Sequence, residues 1–110
     1  MSITINLYYT GVNGNARKFA SEMEKSGIAD LIRSEEGNER YEYFQPLDNP
    51  EVVMLIDQWR DQAALDVHHA SEMMSKLAVL RDKYDLHMKA ERFIKDDDKL
   101  PEKENFYLRK

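Results

Sequence analysis

The chain has 110 residues, enough for one domain, and its hydrophobic residues, 42% of the total, are spread along it. Twenty-one acidic side chains against 16 basic ones give a net charge of −5, which repels a phosphate backbone and argues against nucleic-acid binding, and the lack of cysteine excludes disulfides and thiolate chemistry. No apolar run nears the ~20 residues that cross a bilayer, and Met1-Ser2-Ile3-Thr4 has no basic start of a secretion signal, so a soluble cytoplasmic protein without a membrane partner is expected.

Ile3, Ile5, Leu7 and Tyr9 alternate with Thr4, Asn6 and Tyr8, the period of a strand with one buried face. Gly11 to Gly14 is a turn. Ala16, Phe19, Ala20 and Met23 then recur at helical spacing, Gly27 interrupts the phase, and Ile28, Leu31 and Ile32 resume it; this predicts one amphipathic helix from about Asn15 to Arg33, bent near Gly27. A second turn at Glu36-Gly37-Asn38 leads into Arg40–Gln45, an aromatic-rich strand. After a loop between Pro46 and Pro50, the apolar run Val52–Ile56 ends in Asp57-Gln58-Trp59 and suits a strand covered on both faces. Asp61 is placed to cap a short helix through His68, and Ser71 another with Met73, Met74, Leu77 and Leu80 as its apolar stripe. Tyr84–Ile94 reads as the last strand.

The order β-α-β-β-α-β, with its second helical region broken in two, predicts an α+β fold: a ferredoxin-like antiparallel sheet with helices on one face. The other face is left bare, which argues for a partner. The domain is expected over residues 1–94. Residues 95–110 form a charged C-terminal tail opening with Asp96-Asp97-Asp98, in which Phe106-Tyr107-Leu108 is an apolar cluster able to dock on a partner subunit.

Two segments carry a resemblance. Glu35-Glu36-Gly37-Asn38-Glu39-Arg40-Tyr41-Glu42 is similar to "E-E-G-x-x-x-Y-x", and the run from Asp57 to His68 is similar to "E-x-W-x-[DS]-x-x-A-L-x-x-H". On these, the chain resembles the antibiotic biosynthesis monooxygenase superfamily, and its quinol monooxygenases in particular, from near its start to about residue 94. The resemblance implies a homodimer whose two sheets close a barrel (a dimeric α+β barrel). It implies a pocket between sheet and helices for small, often aromatic or quinol-like compounds, and chemistry that mostly uses neither metal nor flavin. Two departures stand out: the family's later Pro-His pair is replaced within His69-Ala70-Ser71-Glu72-Met73, and the acid of "E-x-W" is Asp57. A haem-degrading branch carries a Trp at the place of His68 and a ligating His at that of Ala78; neither is here, so haem is not expected.

His68 would share a helix face with Ala64 and Leu65, and an imidazole titrating near pH 6.5 can serve as a general base, so His68 is the first catalytic candidate. The alternative is a structural histidine. His69 should face outward, and His87 matches no motif. His68 and His69 diverge by about 100° on a helix, and no metal-ligand spacing exists, so no metal is expected. Trp59, Tyr41 and Tyr43 are candidate walls of a flat substrate pocket, with core packing as the alternative. In some relatives an Asn in the first strand holds a substrate oxygen, which makes Asn6 the second catalytic candidate. The expected function is a cofactor-independent monooxygenase of a small quinol-like or polyphenolic compound. The alternatives are an isomerase of a small oxygenated metabolite or signalling compound, and a non-catalytic dimer that binds a small molecule.

Overall fold

In the computed structural model, which describes residues 1–109, the first alternating segment is strand β1, Ile3–Thr10. The turn that follows feeds α1, Asn15–Lys25, which buries Ala16, Phe19, Ala20 and Met23. The single helix expected through Arg33 is two: Gly27 adopts φ 85° and α2, Ile28–Arg33, starts afresh after it. A phase interruption is visible in the sequence, but whether it bends or breaks the helix is decided by this one left-handed residue.

Next come β2, Asn38–Phe44, and β3, Val52–Trp59. Asp61 caps α3, Gln62–His69, by accepting the Ala64 amide at 2.9 Å. Such a cap contributes about 1 kcal/mol. In α4, Glu72–Lys83, the expected cap Ser71 makes no side-chain bond to the helix start; its hydroxyl donates instead to the His68 carbonyl at 2.6 Å and ties the two helices together. The last strand, β4, is His87–Ile94, shorter than expected because Tyr84 to Leu86 form the turn, with Asp85 at φ 49°. A one-turn helix, α5, Glu102–Asn105, lies in the exposed tail. No helix among the described residues is long and apolar enough to cross a membrane.

The four strands form one antiparallel sheet in the order β2-β3-β1-β4, the ferredoxin-like α+β arrangement. Helices cover one face. On it lie Ile3, Tyr9, Tyr41, Val53, Leu55 and Trp59, packed under Phe19, Met23, Ile32, Leu65, Leu77 and Leu80. Full burial of an aliphatic side chain of this kind contributes roughly 2 kcal/mol. β3 is not covered on both faces as expected. Its burial alternates strictly, with Val53, Leu55, Asp57 and Trp59 buried and Val52, Met54, Ile56 and Gln58 half-buried, because the second face has no helices over it.

Candidate active site

Sheet register sets the site. Ile5 pairs with Asp57 on one side and Arg92 on the other, and Asp57 pairs with Tyr41, so Arg92, Ile5, Asp57 and Tyr41 form one row across the helix-covered face. Ala90, Leu7, Leu55 and Tyr43 form the next. The β2 and β3 side of that face is covered. The β4 side is open: Met88, Ala90, Arg92 and Ile94 are exposed, and Ile5 and Leu7, on a central strand, are only half-buried. Ile5, Leu7 and Ala90 thus form an incompletely covered apolar strip, which we read as the floor of a shallow trough. Arg81 donates to the Met88 sulfur at 3.3 Å at one end, and Arg92 donates from Nη2 to Gln62 Oε1 at 2.6 Å at the other.

Beside the floor sits Asp57, 5% exposed, the one charged residue on the inner face of β3. Its Oδ1 accepts the indole N–H of Trp59 at 2.7 Å. Burial pushes its carboxyl up to about 7, the indole bond pulls the other way, and the nearby Glu35 carboxylate adds to the rise. A carboxyl that changes charge near neutral pH within reach of an apolar surface has the properties of a general base.

Trp59 is fully buried, and its ring stacks on that of His68 with centroids 4.6 Å apart. His68 is 3% exposed, and its Nδ1 lies 2.6 Å from Glu35 Oε2. Burial lowers the imidazole's tendency to charge, and Glu35 partly offsets this. A carboxylate accepts, so Nδ1 carries the proton and Nε2 the lone pair. Gly37 holds Glu35 and α3 in this relation. Its carbonyl accepts the Arg60 amide at 2.8 Å, and a Cβ built on it would stand 2.5 Å from that of Ala64.

The candidate residues thus divide. His68, Trp59, Tyr41 and Tyr43 share the helix-covered face, whereas Asn6 points to the opposite one, since successive residues of a strand alternate. Asn6 and His68 cannot act on one substrate from opposite faces of a sheet, which corrects the pairing expected of them. Nor are Trp59 and Tyr41 walls of an open pocket. Tyr41 is buried with its hydroxyl 2.9 Å from that of Tyr43, the two rings meet edge-on at 5.5 Å, and burial raises both phenols far above their ordinary range. Trp59 and Tyr41 are core, while Tyr43 is half-buried and borders a small cavity with Arg17, Phe44 and Gln45, which leaves Asp57 and the half-buried aliphatics on the β4 side to form the site.

Asp57 and Arg92 escaped the sequence reading as site residues. Asp57 had a signal: in Val53-x-Leu55-x-Asp57-x-Trp59 it is a lone acid on an apolar alternation. A cavity of about 700 Å³ lies elsewhere, along the solvent side of α1 between Gln45 and Tyr84. Its acids are already bonded, Glu22 to Lys83 and Tyr84 and Glu51 to the Gly14 amide, so it carries no comparable chemistry.

The model of the antibiotic biosynthesis monooxygenase family matches residues 2–78. No curated protein matches the sequence. Among solved structures, SnoaB, a cofactor-independent oxygenase from Streptomyces nogalater, is similar with a TM-score of 0.74 at 20% identity, over 92% of this chain and 98% of its own. A conserved protein from Methanosarcina mazei Go1 reaches 0.75 at 21% identity over 87% and 94% of the two chains. A protein from Pseudomonas aeruginosa reaches 0.72 at 23%, over 86% and 93%. At such identities these likenesses establish the fold.

Proposed function

The chain belongs to the antibiotic biosynthesis monooxygenase family, and from that membership we propose that it is a cofactor-independent monooxygenase of a small quinol-like or polyphenolic compound bound in the trough. The observation that carries this reading is Asp57, a buried carboxyl lifted to about 7 beside a half-exposed apolar floor. A quinol plus O2 gives a hydroxyquinone plus water, so the ring supplies all four electrons and no external reductant enters. The protein's share is to remove a phenolic proton, hold the ring and limit water. Asp57 takes the proton; Ile5, Leu7 and Ala90 hold the ring. We place the base here because the Asp57 carboxyl stands in the same row as the half-buried Ile5, whereas the His68 ring is stacked on the buried Trp59 with Nδ1 bonded to Glu35. His68 and Glu35 position Trp59, and through it the Asp57 carboxyl. SnoaB, described as a cofactor-independent oxygenase, shares the fold and supports the same class of chemistry.

Oxygen uptake with a panel of hydroquinones and naphthohydroquinones, in the presence of a chelator, tests this. Saturable uptake is expected from the wild type and from His69→Ala, and none from Leu7→Trp, which fills the trough. Turnover of a quinol-like compound that proceeds equally well without oxygen would replace this reading with an isomerase. Ligand binding without turnover would leave a binding protein.

The same reading includes a homodimer. The helix-free face presents Phe44 and Phe93, both exposed, with Tyr8, Met54 and Ile56 half-buried, and the Asn6 Oδ1 on that face is buried without a hydrogen-bond partner. A second copy covers this face. Ile56→Glu places a charge at its centre and is expected to halve the mass measured by sedimentation while leaving far-UV circular dichroism unchanged. An unchanged mass would show that the two copies do not meet there.

A further inference from the structure

The trough has a second polar end. On β4, Lys89 and Glu91 belong to the helix-free face, while Met88, Ala90, Arg92 and Ile94 belong to the helix-covered one, so Arg92 is the only charged residue on the inner face of its strand, as Asp57 is on β3. The two flank Ile5 in one row, with their Cα atoms two strand spacings, roughly 10 Å, apart. No ion pair joins them, and among the described residues no carboxylate pairs with Arg92. One guanidinium N–H is engaged by Gln62 Oε1, which aims the group; among the described residues the other donors have no hydrogen-bond partner. A buried carboxyl on β3 and an exposed guanidinium on β4 therefore face the same apolar row from its two sides. A Cα separation of that order leaves Ile5 between the two side chains, a width on the scale of a single aromatic ring.

We propose that Arg92 selects the substrate of this site: it binds an anionic oxygen, a carboxylate or phenolate, borne on a single aromatic ring that lies across Ile5 with a hydroxyl at the Asp57 edge. This rests on the trough being the substrate site. The planar guanidinium gives paired N–H donors matched to a carboxylate, which lysine does not offer. Gln62 is a positioning residue that acts through Arg92.

Isothermal titration under nitrogen with 2,5-dihydroxybenzoate and with uncharged hydroquinone tests the proposal in wild type, Arg92→Gln, Arg92→Lys and Leu7→Trp. Wild type is expected to bind the benzoate at least tenfold more tightly than hydroquinone. Arg92→Gln should remove that preference while changing hydroquinone affinity less than twofold, and Arg92→Lys should restore part of it. Arg92 is exposed, so the melting temperatures of both variants should match wild type. If both probes bind and Arg92→Gln leaves their ratio unchanged, Arg92 is not the selector although the trough stands. If neither binds wild type, or Leu7→Trp binds both as well as wild type, the trough reading fails and the proposal fails with it.

Discussion

Asp57→Asn should be nearly inactive and, at pH 8, more stable than the wild type. Loss of a general base lowers turnover by about 10²- to 10⁴-fold, and the asparagine keeps an oxygen for the Trp59 indole. The stability change follows from linkage. In the unfolded chain the carboxyl ionises near its ordinary value of 3.8, while in the fold it holds its proton up to about 7. Below pH 4 both states are protonated and nothing is lost. Between pH 4 and 7 the unfolded state ionises first, so wild-type stability declines as pH rises, by up to about 1.4 kcal/mol per pH unit and on the order of 4 kcal/mol in all. Above pH 7 the loss is complete and constant. Asparagine escapes it, but its buried amide N–H groups cost about 1–3 kcal/mol where they find no acceptor. Urea unfolding should therefore find the variant more stable at pH 8 and less stable at pH 4. Where the wild type turns over, kcat/KM should rise through pH 7, since only the ionised carboxyl accepts a proton. Parallel stability curves for the two proteins between pH 4 and 8, or a variant that keeps its turnover, would remove Asp57 from the mechanism.

Gly37→Ala should cost about 3 kcal/mol and lower the melting temperature by roughly 10 °C or more. Two terms add. The residue sits at φ 85°, where a Cβ is strained, and the new methyl would lie 2.5 Å from the Ala64 Cβ at the start of α3. Relief requires α3 to move, and α3 carries His68 away from Glu35. Gly14→Ala separates the terms. Gly14 has φ 75° but nothing within 4 Å of an added Cβ, so it should cost only about 1 kcal/mol of backbone strain. Equal losses in the two variants would mean that the contact between this turn and α3 has no consequence.

Much of the architecture was open to reading because it is written at short range. Ile3, Ile5, Leu7 and Tyr9 share a face at period two whatever lies above them, and Asp61 caps α3 through a neighbour three residues away. The site is different in kind. Glu35 meets His68 from 33 positions away, and Asp57 stands beside Ile5 and across from Arg92 only once three strands are in register. Alternation says that Ile5 and Leu7 face inward. It cannot say that the helices stop short of them, which makes a floor out of what would otherwise be core. Reading Val52–Ile56 as covered on both sides also hid the one-sided pattern in which Asp57 is the odd residue.

The pair formed by Trp59 and Asp57 has a consequence for spectroscopy. The chain has one tryptophan, and its indole N–H bonds to a carboxyl that titrates near neutrality while its ring lies on an imidazole. Its emission should therefore shift in wavelength and yield as Asp57 gains or loses its proton. A ligand that displaces water from the neighbouring floor should do the same. The protein carries its own fluorescent indicator, through which the charge state of its centre can be followed without a label.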